Sequence, residues 1–145
     1  MATVRDMIRK KGNEVYTVAP DVNIFEVLKS MAKHNIGALL VMSDEDVVGI
    51  ISERDCVRKV ELLGKTVKDT KVSEIMTSEL ITVDCSQPLE ECMALMNEKN
   101  IRHLPVYDGE KLMGLISVRD VLKEMIELQQ VMLSQLERYI TGGGR

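Results

Sequence analysis

The chain has 145 residues, 45% of them hydrophobic and 29% charged, a balance that fits one compact domain or two small modules sharing a core and excludes a disordered protein. Its net charge of −4 excludes a general basic field for nucleic acid phosphates. No apolar run approaches the roughly 18 to 20 residues that cross a bilayer, and the opening MATVRDMIRKKGNE lacks a secretory apolar stretch, so a cytoplasmic protein is expected, with neither membrane nor nucleic acid as partner.

In chain order, a short lead-in, "VRDMI", starts at Val4. "YTV" is a strand start rich in β-formers, stopped by Pro20. "NIFEVLKSMAKHN" then sets Ile24, Val27, Leu28 and Met31 at helical spacing, and Asn35 can supply the left-handed residue that ends a helix. "IGALLVM", the polar turn "SDED" and "VVGIIS" read as a hairpin, and a second helix follows from Arg54. After the polar link "LGKTVKDTK" the same order returns. A lead-in "VSEIM" precedes "ITV", and "PLEECMALMNEKN" forms a helix with Pro88 in its first turn and Asn100 at its end. The hairpin "IRHLPVY", "DGEK", "LMGLIS" follows, then a helix from about Arg119. That last helix runs over 118–140 with Val121, Met125, Leu128, Met132, Leu136 and Tyr139 on one stripe, which needs either its own domain or a second copy to cover it. The closing "TGGGR" is expected to be a floppy tail.

The two halves align without a gap at the spacing of Gly49 and Gly114. Thr17-Val18 falls on Thr82-Val83, Met31 on Met96, Asn35-Ile36 on Asn100-Ile101, Val41 on Val106, and GIISERD on GLISVRD. The chain is therefore a tandem repeat of strand, helix, strand, strand, helix, an α/β fold in which one unit alone leaves a sheet face uncovered. Residues 1–66 form the first motif with its lead-in, 67–127 the second, and 128–145 a helical extension with a tail.

The repeated heptapeptide carries the chemistry. Ser52 with Asp55, and Ser117 with Asp120, have the spacing of a capping box, a purely structural device. That leaves the glycine and the arginine unexplained. Gly49 and Gly114 remove a side chain on the strand, as close approach of a ligand or another backbone requires. A helix start offers unpaired N–H groups to a phosphate, Arg54 or Arg119 adds a planar fork of donors, and the carboxylate can accept from vicinal hydroxyls of a ribose. No Cys/His/Asp cluster has metal-site spacing, and no nucleophile motif or Walker loop occurs, so binding without turnover is expected, with no catalytic or metal residues. His34 and His103 do not fall on equivalent positions. Cys56, Cys85 and Cys92 form no CxxC pair and leave one over in any disulfide scheme, which suits a reducing compartment. Cys56 and Cys92 read as small core residues, and Cys85 in "DCSQP" as a candidate redox thiol.

With Thr-Val at the first strand, "RHLPV" at the second and "GLISVRD" before the last helix, the chain resembles the tandem CBS domain, or Bateman module, from about Val4 to Glu127. The resemblance implies two motifs packed by their sheets about a pseudo-twofold axis with two clefts between them, commonly paired into a flat homodimer. It implies a stand-alone regulator that binds an adenine nucleotide or adenosyl ligand (AMP, ADP, ATP or an NAD-type dinucleotide) in those clefts and signals to another, unidentified protein. Carried over, Asp55 and Asp120 would hold ribose hydroxyls, and Ser52, Ser117, Arg54 and Arg119 would meet phosphate. Thr17 and Thr82 would lie near the sugar or phosphate. Backbone at Ile36, Gly37 and Ala38, and at His103, Leu104 and Pro105, would flank the base, and Met76-Thr77 would line a cleft. The first repeat's "IGALLV" lacks the proline and polar residues of "IRHLPV", which implies a more apolar base wall. The alternative is an interaction or assembly module in which the heptapeptides only cap helices. Loss of Asp55 or Asp120 is expected to weaken ligand binding with little loss of fold.

Overall fold

The computed structural model describes residues 2–141; of the expected tail TGGGR, Thr141 is instead the last residue of a helix, and 142–145 lie outside the described residues. Along the chain run α1 (Val4–Lys11), β1 (Thr17–Val18), α2 (Ile24–His34), β2 (Ala38–Ser43), β3 (Asp46–Ser52), α3 (Glu53–Leu63), α4 (Val72–Ile75), β4 (Val83–Asp84), α5 (Leu89–Lys99), β5 (His103–Asp108), β6 (Lys111–Ser117) and α6 (Val118–Thr141). The α/β class and the doubled order agree with the sequence pattern. The helices after the heptapeptides start at Glu53 and Val118, one residue before the arginines.

Contacts divide the chain into two compact units that differ from the order of the repeats. One is Glu14–Ile81; the other joins the residues before Glu14 to those from Thr82 onward. The lead-ins are exchanged. In the first unit, α4 belongs to the second repeat by sequence but bonds to the first: Val72 N–H donates to Val22 O at 2.8 Å, Ser73 to Pro20 O at 2.9 Å, and Ile24 to Thr70 O at 2.9 Å. In the other unit α1 makes the equivalent bonds on the second repeat: Val4 N–H to Gln87 O at 2.9 Å, Arg5 to Cys85 O at 2.9 Å, and Leu89 to Ala2 O at 3.2 Å. Val72 and Ile75 in one unit, and Val4, Met7 and Ile8 in the other, are buried.

Each unit holds a three-stranded sheet, ordered β1-β2-β3 or β4-β5-β6, with a short parallel ladder beside an antiparallel hairpin. Alternation along the hairpin of the first unit puts Leu39, Val41 and Ile51 against Ile24, Val27 and Met31 of α2 and Cys56 and Val60 of α3. Burial of each such side chain contributes about 1.5 to 3 kcal/mol. Both hairpins carry a bulge at the same place, after Val41 and after Val106, where Val48 and Met113 are passed over in the register. α2 and α5 end on Asn35 and Asn100 at φ 52 and 53, both left-handed as expected. Pro88 stands one place earlier than expected, at the N-cap of α5.

The parallel ladders differ by one residue, and two prolines account for it. Leu40 N–H donates to Tyr16 O at 3.3 Å, which opens β1 at Thr17. The equivalent of Leu40 is Pro105, which has no N–H, so β4 opens at Val83 and leaves Thr82 outside the strand expected for it. At the other end Cys85 N–H donates to Tyr107 O at 2.9 Å. Its equivalent, Pro20, has no donor, so β1 stops at Val18.

Candidate functional site

In each unit the topology gathers the heptapeptide, the start of the hairpin and the first strand at one end of the sheet. Ala38 pairs with Ser52 and His103 with Ser117 at the ends of the hairpins. Thr17, paired with Leu40 on the parallel strand, is exposed beside the first pair. Thr82 is exposed just ahead of β4. Ile36 and Gly37 are half-buried in the turn between the left-handed Asn35 and β2, whereas Ala38, Leu104 and Pro105 are buried.

Both helix starts are complete capping boxes. Ser52 N–H donates to Asp55 Oδ2 at 3.2 Å and Asp55 N–H to Ser52 Oγ at 3.1 Å; for Ser117 and Asp120 the distances are 2.9 and 3.0 Å. The first helical N–H is also engaged, Glu53 with Gly37 O and Val118 with Arg102 O, both at 2.9 Å. The expected row of unpaired N–H groups is thus partly used by the chain itself, and less of each helix start is left to an anion. Because each aspartate also completes a cap, the small loss of fold expected on its removal is the cost of that cap, about 1 kcal/mol.

Each carboxylate also meets a lysine. Lys59 Nζ lies 3.2 Å from Asp55 Oδ1, one turn along α3, and donates to Ile75 O at 3.0 Å. Lys11 Nζ lies 2.8 Å from Asp120 Oδ2 and donates to Leu115 O at 2.8 Å. Burial pushes the Asp120 carboxyl up, but hydrogen bonds from Lys11 and Ser117 outweigh it and hold the group below the usual carboxylate range. Sequence reasoning missed both lysines. Lys59 was legible four residues after Asp55 on a helix; Lys11 was not, because only the exchanged lead-in brings it there. Arg54 is half-buried and Arg119 exposed, each at the second helical position.

The repeated glycines make room for the lead-ins. A Cβ at Gly49 would stand 2.8 Å from Met76 Sδ and 3.0 Å from the Thr77 carbonyl oxygen; at Gly114 it would stand 2.9 Å from Ile8 Cδ1. Of the two uses expected for these glycines, approach of another backbone is the one seen at Gly49. There Thr77 and Ile50 exchange both backbone hydrogen bonds at 2.9 Å. Met76 and Thr77 are therefore neighbours of the Ser52–Asp55 box, in the same unit.

Cys85, expected as a redox candidate in a loop, is fully buried, and burial pushes its thiol up. Cys56 and Cys92 are buried core residues with thiols pushed up to about 12 and about 11. None is the low-pKa, accessible thiolate that redox chemistry needs. His34 stacks on Tyr16 with ring centroids 3.8 Å apart. Among the described residues no helix is long and apolar enough to cross a membrane, and no group of three His, Cys, Asp or Glu could hold a metal ion.

The doubled unit is reflected in known proteins. The CBS domain family matches residues 4–62 and again 72–127; the chain belongs to that family and carries two copies of the motif. It is 35% identical to the mitochondrial CBS domain-containing protein CBSX3 of Arabidopsis thaliana, over 97% of this chain and 73% of that protein. A putative signal-transduction protein with CBS domains from Burkholderia ambifaria has the same fold at a TM-score of 0.84 and 45% identity, over 87% of this chain and 95% of that one. The CBS domain pair of protein MJ0100, solved in complex with 5'-methylthioadenosine and S-adenosyl-L-methionine, superposes at a TM-score of 0.74 with 26% identity, over 86% of this chain and 99% of that one.

Proposed function

We propose that the chain is a ligand-sensing regulatory module, without catalytic turnover, that binds an adenine nucleotide or adenosyl compound at its two heptapeptides and relays occupancy to a partner protein. The duplicated box of serine, arginine and aspartate carries the reading. In a chain of net charge −4, it sets an arginine and a lysine around each helix start, Arg54 with Lys59 and Arg119 with Lys11. The adenosyl ligands of the similar MJ0100 pair support the chemical class. Asp55 and Asp120 accept the ribose hydroxyls; Ser52, Arg54, Ser117 and Arg119 face phosphate or its equivalent, with Thr17 and Thr82 beside them. Backbone at Ile36, Gly37 and Ala38, and at His103, Leu104 and Pro105, borders the base, with Met76 and Thr77 next to the first site. Three free cysteines speak for a reducing compartment and fit a cytoplasmic location.

Such a ligand shifts the protein's conformation only by binding one state better than another. Calorimetry and thermal denaturation with AMP, ADP, ATP, NAD and S-adenosylmethionine test the reading. At least one compound should bind and raise Tm, because a ligand held only by the folded chain stabilises it. Asp55→Asn with Asp120→Asn should weaken that binding by about tenfold to a hundredfold per site, for lost hydrogen bonds of about 1.5 to 3 kcal/mol each. Measurement below the melting range separates this from the cost of the weakened caps, about 1 kcal/mol each. Failure of every compound to bind, or unchanged affinity in the double variant, would overturn it. The complete capping boxes favour a second reading, an assembly module without a nucleotide, for which the same titrations should be silent.

A further inference from the structure

A lysine stands beside each heptapeptide carboxylate, but the two repeats do not supply it from the same element. In the first, Lys59 lies one turn along the same helix as Asp55. At the spacing of Gly49 and Gly114, Lys59 falls on Glu124, which is buried and pairs with Lys10 at 2.7 Å. Asp120 is met instead by Lys11, from the exchanged α1. The matching bonds of Val4 and Val72 align the two lead-ins, and that alignment puts Glu79 where α1 has Lys11. The cation beside the carboxylate is thus kept in both halves while the element that carries it changes. Geometry at the carboxylates differs as well. At Asp120 the Ser117 N–H, at 2.9 Å, and Lys11 Nζ, at 2.8 Å, both donate to Oδ2. At Asp55 the Ser52 N–H donates to Oδ2 at 3.2 Å, and Lys59 stands 3.2 Å from the other oxygen, Oδ1. An ionised carboxylate offers about two acceptor sites on each oxygen, so Oδ2 of Asp120 is full, whereas each oxygen of Asp55 has a site to spare. The vicinal hydroxyls of a ribose span both oxygens. They fit Asp55 with Lys59 in place, but at Asp120 they need Lys11 to leave Oδ2.

We propose that Lys11 is a latch released by the ligand: a ribose at Asp120 displaces it, and the last turn of α1 loosens when the second site is occupied. The latch rests on the nucleotide reading above and gives that reading a readout, a stretch of surface whose order depends on occupancy. Lys11 is the last residue of α1 and is followed by Gly12 at φ 94. A Cβ added to that glycine would meet nothing within 4 Å, so the turn can move without pushing on a neighbour. Lys11 Nζ also donates to Leu115 O at 2.8 Å, and its departure gives up both contacts together. The start of the helix stays seated, because Val4, Met7 and Ile8 are buried and Lys10 keeps its hold on Glu124. No such release follows at the first site, where Lys59 keeps its bond to Ile75 O, at the end of α4, at 3.0 Å.

Amide hydrogen exchange of the full chain, read by NMR, is the test. The reporters are the cap N–H groups that close the two lead-ins: Gly12, bonded to Ile8 O at 2.8 Å, and Met76, bonded to Val72 O at 2.9 Å. The probes are AMP, ATP and S-adenosylmethionine, all of which carry the diol, and 2'-deoxy-ATP, which does not. Shifts of the Ser117 and Asp120 amides show binding independently. A diol probe that binds there should speed exchange at Gly12 by about twofold to fivefold, the size of one partly exposed ion pair, and leave Met76 unchanged. Bound 2'-deoxy-ATP should leave Gly12 as it is. Lys11→Met should speed Gly12 to the same extent without ligand, keep the circular dichroism of the folded chain, and show no further change at Gly12 when a probe binds. Binding with Gly12 unchanged, equal loosening by 2'-deoxy-ATP, or a Lys11→Met chain with unaltered exchange at Gly12 would each overturn the latch and leave the nucleotide reading standing. If no probe shifts Ser117 or Asp120, the nucleotide reading of the second site falls and the latch with it.

Discussion

Gly49 and Gly114 occupy the same place in the two repeats and answer to different neighbours. At Gly49 an added methyl would press on the Thr77 carbonyl as well as Met76, and a residue whose backbone N–H and carbonyl are both hydrogen-bonded cannot easily move aside. At Gly114 it meets only the tip of Ile8, a flexible side chain. Gly49→Ala should therefore destabilise by about 1 to 3 kcal/mol, the usual range for overpacking a filled site, and Gly114→Ala by clearly less. Urea denaturation of both variants checks the order. Adding Ile8→Val should relieve Gly114→Ala further, and no comparable trimming of Met76 should fully rescue Gly49→Ala. The prolines act at the same scale: Pro20 and Pro105 each withdraw one donor and thereby set where a two-residue ladder begins or ends.

At the scale of elements, the asparagines that close α2 and α5 sit at φ 52 and 53, where a β-carbon costs about 1 to 2 kcal/mol unless a short polar side chain offsets it. Asn100→Ala should lower stability by about 1 kcal/mol while Asn100→Gly should be near neutral, a difference visible in thermal midpoints. These caps, the hairpins and the two helix starts were legible in the sequence because each is set within a few residues and then confirmed by its copy in the other repeat. The one-residue shift of β4 was also legible in principle, since Pro105 declares its missing N–H. The exchange of α1 and α4 was not. Each is a single short helix whose apolar residues would suit either repeat, and nothing local in "VRDMIRKK" says that its seat lies at Cys85 and Gln87. The capping half of the site was therefore readable, while Lys11 on Asp120, which depends on the exchange, was not.

For the molecule as a whole, titrating groups limit stability on both sides of neutrality. Asp120 is held below its usual range, so its stabilisation is present above the unfolded carboxyl's value of about 3.9 and is lost as pH falls through the lower folded value. The buried thiols act in the opposite direction. Their folded values, about 12 for Cys56 and about 11 for Cys92, lie above the roughly 8.5 of an unfolded cysteine, so their stabilisation is full below that pH and is lost as pH rises toward the folded values. Urea midpoints should therefore be flat near neutrality and fall toward both extremes. Cys56→Val with Cys92→Val, which gives each position the valine its repeat partner carries at Val121 and Val27, should flatten the alkaline fall and leave the acid limb unchanged.

The exchanged lead-ins also bear on how the chain is made. A ribosome delivers α1 ahead of both repeats, yet the carbonyls of Cys85 and Gln87 that receive it do not exist until the whole of the first repeat has followed it. Glu14–Ile81 has all of its own pieces by then, so the nascent chain completes its middle first, while Val4, Met7 and Ile8 wait uncovered for the last repeat to close over them.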